Sequence, residues 1–171
     1  MLRPHTWSDE RRAAMAGKTV VRKRGEGQAL WMLGGLYEVK ATSDETGGGM
    51  SVMEFTIPVG MGPPPHTHDG AELIYILEGT ARYRIGEETI DAGPGTLIHF
   101  SAGTLETFEP TSPLRVLTVY APGGMDRFFV EAGEPARTRE VPPASSTPPD
   151  VERIAAIGER YGLHIKAPTS V

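Results

Sequence analysis

The chain contains no cysteine, so disulfides and thiolate ligands are excluded, and any metal must be held by histidine and carboxylate. A reducing, cytosolic setting is the expectation that follows. There is no apolar run near the roughly 20 residues that span a bilayer. The opening stretch MLRPHTWSDERRAAMAG lacks the apolar centre of a signal peptide. Basic residues are scattered, apart from Arg22-Lys23-Arg24, and the net charge is −5. Neither nucleic acid nor an anionic membrane is therefore expected as partner, because both need a concentrated basic face.

Glycine (21) and proline (15) are plentiful in the 171 residues, and they fall as punctuation. Gly34-Gly35, Gly47 to Gly49, Gly60 to Pro65, Gly79, Gly86, Gly93 to Gly95 and Pro122 to Gly124 break the chain at short intervals. Between them stand alternating or β-branched runs over 29–33, 36–41, 50–58, 73–77, 80–85, 88–90, 96–100, 106–109 and 114–121. Many short strands between regular turns predict an all-β barrel or sandwich. The expected organisation is an N-terminal extension (1–19), a β-barrel (20–132), a proline-rich linker (133–149) and a C-terminal helix and tail (150–171). A short helix is expected over Asp9–Met15 behind Ser8. A second is expected after Asp150, with Val151, Ile154, Ala155 and Ile157 as its stripe and Gly162 as its stop.

Chemistry concentrates in GPPPHTHDGAE, residues 62–72. On a strand, residues i and i+2 share a face, so His66 and His68 can share one ion. Glu72, past a short turn, can add an oxygen. Two nitrogens and an oxygen leave open positions and suit Fe(II), Mn(II), Ni(II) or Zn(II). His99 lies in GTLIHFS, where alternation sets Leu97, His99 and Ser101 against Ile98 and Phe100; if the first face looks inward, His99 is a further imidazole near the site. Ile74 and Ile76 share the face of Glu72. With Phe108 and other aromatics they form a candidate pocket for a flat, apolar substrate of polyphenol or polyketide type. Arg82 and Arg84 alternate with Tyr83 and Ile85 and read as an exposed strand face. His5 and His164 lie in the tails and carry no chemical signal.

Gly60, five residues, His66-Thr67-His68, three residues, Glu72, six residues and Gly79 together resemble the first signature motif of the cupin family. The phrases LGGLY (33–37), GPPPHTH (62–68), LEG (77–79) and AGPGT (92–96) are most similar to small single-domain bacterial cupins of the quercetin 2,3-dioxygenase-like kind. The resemblance runs from about Val20 to Ala132. It implies a double-stranded β-helix (jelly-roll barrel), a mononuclear divalent metal, a small-molecule substrate and a homodimer. The second motif of the family departs here: Gly95 and Gly103 stand, Ser101 replaces a proline, Pro110 replaces an asparagine, and Glu106 occupies the place of the fourth ligand, a histidine.

Three readings of Glu106 follow. It ligates, giving two histidines and two carboxylates. Or it stands beside a three-residue metal centre as a general base. Or no metal binds, and Glu72 and Glu106 form an acid–base pair whose pKa values are pushed apart. The corresponding activities are a metal-dependent dioxygenase, a non-redox isomerase or cyclase, a metal-free acid–base enzyme, or a non-catalytic small-molecule-binding barrel.

Overall fold

The computed structural model describes residues 16–144 and 148–166. The helix expected over Asp9–Met15, its Ser8 cap and His5 lie outside the described residues. In chain order the strands are β1 (Ala29–Met32), β2 (Gly35–Ala41), β3 (Ser51–Ile57), β4 (His66–His68), β5 (Ala71–Glu78), β6 (Ala81–Ile85), β7 (Glu88–Ala92), β8 (Leu97–Phe100), β9 (Glu106–Pro110) and β10 (Leu114–Ala121). Helix α1 (Met125–Ala132), β11 (Glu134–Pro135), helix α2 (Val151–Glu159) and β12 (Leu163–Ile165) follow. One sheet runs β11-β1-β2-β3-β10-β5-β8 and the other β12-β4-β9-β6-β7. All pairings are antiparallel. The fold is a jelly-roll double-stranded β-helix, as the sequence predicts.

Strict alternation produces it. β3 and β10 bury every second residue, so Met53, Phe55 and Ile57 meet Leu114, Val116 and Thr118 inside. Ile74, Ile76, Tyr83 and Phe100 fill the rest of the interior. Polar residues of the same strands face out: Arg82 pairs with Asp91 at 2.9 Å on the β6–β7 ribbon.

The proline-rich approach to β4 lies along β9. Gly60 N–H donates to Pro110 O at 3.0 Å, and Thr107 Oγ1 donates to Pro63 O at 2.7 Å. The fit is so close at Gly62 that a Cβ there would sit 1.7 Å from Phe108 O. Glycine at 62 is thus required by backbone approach.

The C-terminal part closes one end of the barrel. α1 was not anticipated as a helix, although Met125, Phe128, Phe129 and Ala132 recur at helical spacing and all are buried. Phe129 stacks on Tyr37 at 5.2 Å and meets Phe55 at 5.1 Å. α2 begins where Asp150 accepts a hydrogen bond from Arg153 N–H at 2.9 Å. Arg153 then reaches the end of α1, donating to Ala132 O (3.1 Å) and Glu131 O (3.0 Å). Two short strands also emerge from segments read as linker and tail: β11 pairs with β1, and β12 pairs with β4.

Replacing Gly62 by alanine is expected to cost about 2–3 kcal/mol, as overpacking against fixed backbone does. Thermal unfolding followed by circular dichroism should show Tm falling by roughly 5–10 °C; an unchanged Tm would contradict the close approach.

Candidate metal centre

β4 is only three residues long, and both its ends point inward: His66 and His68 are buried while Thr67 is not. The turn at Asp69-Gly70 brings Glu72, second residue of β5, back to the same space. Glu106 opens β9 directly opposite His66. All four side chains are buried, and each offers a ligand atom, all within 4.8 Å of one another. Two ligands each about 2.0–2.2 Å from an ion are at most about 4.4 Å apart, so the four side chains have to close in to share one cation.

His66 is oriented for this. Its Nδ1 lies 2.9 Å from Pro64 O, and a carbonyl only accepts, so Nδ1 carries the hydrogen and Nε2 keeps its lone pair. Burial lowers the His66 pKa, outweighing the opposing pull of Glu72, and favours the neutral, ligating form. His68 Nε2 lies 2.9 Å from Glu72 Oε2. That distance fits an ion pair, yet neither atom has a hydrogen-bond partner. Each orphaned buried polar atom costs about 1–3 kcal/mol, a cost that a shared cation removes. The four residues therefore fit a divalent metal by their chemistry, their spacing and their unmet bonds.

Electrostatics agree. Burial first, then the Glu72 charge and a hydrogen bond to it, hold the Glu106 carboxyl well above the usual carboxylate range. Tyr120 lies near the pair, and its pKa rises through burial first and then through both carboxylates. Burial, then the same two charges, raise Tyr83, whose hydroxyl has no partner. Without a cation the two carboxylates cannot both stay charged at this depth, and burial beside Glu72 favours the neutral form of Glu106.

Above the site lies a cavity of about 70 Å³ lined by Tyr37, Phe55, Phe108, Tyr120 and Phe129 together with the four polar residues. α1, α2 and β12 form its outer wall through Phe128, Ile154, Leu163 and Ile165. Of the residues singled out from sequence, His66, His68, Glu72, Glu106 and Phe108 come together here. Ile74 and Ile76 share the inward face of Glu72 but lie in the packed interior, outside the cavity lining. His99 is exposed: Ile98 and Phe100 take the inward face of β8, and His99 pairs with Leu73 on the outside. Leu163 and Ile165 were missed; a three-residue strand after a glycine leaves too short a pattern to read. No helix among the described residues is long and apolar enough to cross a membrane.

A proton on Glu106 makes two outcomes separable. An acid whose folded pKa is raised favours its neutral form, so the metal-free chain is expected to lose stability as pH climbs above the ordinary carboxylate range. Glu106→Gln, a neutral isostere, should leave the metal-free Tm at pH 8 unchanged or higher. The same variant should weaken metal binding by more than the ~10–100-fold of an outer-shell change. Calorimetric titration with Co(II) checks the second part, and a clear Tm loss at pH 8 would contradict the first.

Residues 53–120, which hold all four polar residues, match the family model for the cupin domain. Among solved structures the chain resembles an RmlC-like cupin from Shewanella frigidimarina, at 11% identity and TM-score 0.55, over 61% of this chain and 93% of that one. KdgF from Halomonas sp. aligns at 16% identity and TM-score 0.51, over 56% and 87%. Pac13 from Streptomyces, a nucleoside dehydratase, aligns at 15% identity and TM-score 0.52, over 61% and 83%. At such identities the likeness is one of fold. No curated protein matches the chain.

Proposed function

We propose a function from the premise that the chain is a small member of the cupin superfamily: it is a metal-dependent enzyme acting on a small aromatic or enolisable molecule. The observation that supports this most is the buried set of two imidazoles and two carboxylates with unmet bonds at the base of an apolar cavity. His66, His68 and Glu72 would hold the ion, with Glu106 at the fourth position. Fe, Mn, Ni and Zn suit such a donor set. When bound, the ion supplies Lewis acidity, polarising a substrate oxygen. The chain's own residues do the rest. The apolar walls exclude water, which strengthens every polar contact inside. Tyr120 lines the cavity together with Glu72. Where Glu106 stands beside the ion rather than on it, its Oε gives or takes a proton at the substrate, in the manner of an isomerase or cyclase. A dioxygenase reaction uses the same ligands, and oxygen uptake separates it.

A second reading has its own support: burial and the neighbouring Glu72 raise the Glu106 carboxyl well above the carboxylate range, which suits it to metal-free proton transfer. The cytoplasmic setting and the homodimer belong to the proposal as well. A second copy has a natural seat on the outer sheet face, where Leu73, Tyr75, Leu97, Leu117 and Val119 adjoin in register and Leu97 is 56% exposed.

Elemental analysis of chain purified without a histidine tag should find about one equivalent of Fe, Mn, Ni or Zn, abolished by His66→Ala. Metal-free protein that nevertheless exchanges substrate protons with D2O would move the function to the second reading. Sedimentation should show a dimer that Leu97→Glu splits; a monomeric native chain would remove the homodimer.

A further inference from the structure

The strand that carries both histidines has few ladder partners within the barrel itself. β4 shares a single registered pair with β9, His66 with Glu106, and Gly103 N–H donates to His68 O at 2.8 Å. On its other side it has three, and all come from the C-terminal strand: Leu163 opposite His68, His164 opposite Thr67 and Ile165 opposite His66. Flanking bonds lengthen this contact, with Asp69 N–H donating to Gly162 O at 2.8 Å and Lys166 N–H to Pro65 O at 2.8 Å. Gly162 itself turns so tightly under Asp69 (φ +74°) that a Cβ there would lie 2.8 Å from Asp69 Oδ2.

Alternation then gives the two faces of β12 different tasks. Leu163 and Ile165 share the inward face with the histidines opposite them, and both line the cavity. His164 points the other way and bridges two carboxylates, Asp69 Oδ1 at 2.9 Å and Glu159 Oε2 at 2.7 Å. Asp69 follows the His68 ligand directly, and Glu159 ends α2. One imidazole thus ties the turn behind the ligand strand to the helix that carries β12. The other end of that helix is tied to α1 by Arg153, and Tyr161 Oη adds a bond to Glu131 at 2.9 Å.

We propose that the C-terminal strand β12 is a structural part of the metal centre, with Leu163 and Ile165 as the wall that packs its two histidines and His164 as the positioning residue that locks the strand in place. The cation named here rests on the function proposed above; the positioning of β4 does not. With no covering strand, β4 would keep one registered pair, the Gly103 bond to His68 O and the anchors before it, and would lose the three pairs that span both histidines. The tail is then more than a cap: the same three residues govern ligand alignment and the room left for substrate.

The test compares the full-length native chain with His164→Ala and His164→Arg, the arginine being long and forked enough to reach both carboxylates. Amide hydrogen exchange on metal-free protein reads the strand directly. His164→Ala should speed exchange at residues 66–69 and 163–166 by about three- to tenfold while β3 and β10 keep their protection. His164→Arg should restore it. Co(II) titration is the second readout, with a several-fold weaker Kd for His164→Ala that the arginine recovers. Unchanged exchange at 66–69, or an equal rise across the whole barrel, would overturn the proposal. Native chain that binds no Co(II) would sink the metal reading alone, since the exchange result stands without metal.

Discussion

Two carboxylates buried within reach of each other, in a barrel otherwise filled with Ile, Phe and Tyr, are the constraint on which the site depends. In a low dielectric they cannot both stay charged unaided. Either a proton or a cation must be present, and two inward imidazoles stand where a cation would be shared. Glu106 sets the charge of this arrangement: where an imidazole would be neutral, it brings a second carboxylate. That charge balances a divalent ion and, with no ion present, is converted to an acid.

The rest of the mouth follows from keeping these four side chains aligned and dry. The prolines before β4 pin the chain to β9, at the expense of needing glycine at 62. Pro64 O fixes the His66 ring. Helix α1 brings Phe128 and Phe129 over the opening, and α2 carries β12 to the free edge of the ligand strand. At about 70 Å³ the enclosed space is far below the ~300–1,000 Å³ of sites for drug-sized ligands.

Much of the fold was legible because strands with one wet face announce themselves by alternation, and glycine and proline mark where they stop. β10 was readable to the residue, and the His66, His68 and Glu72 spacing was plain. His99 could not be settled from sequence, since alternation leaves open which face of a strand looks inward; Phe100 and Ile98 won because they fill the interior. α1 hid behind its aromatics: Phe128 and Phe129 read equally well as barrel residues, and only their i, i+3, i+4 recurrence with Met125 marks a helix. β12 was beyond reach, being a strand defined by its partner rather than by its own pattern.

The most direct measurement is X-ray absorption at the metal edge of the Zn- or Co-loaded chain, which counts imidazole scatterers around the ion. Two imidazoles with carboxylate oxygens in the native protein, and three in Glu106→His, are the expected result. One imidazole or none, or no change on Glu106→His, would contradict a centre built from His66, His68, Glu72 and Glu106.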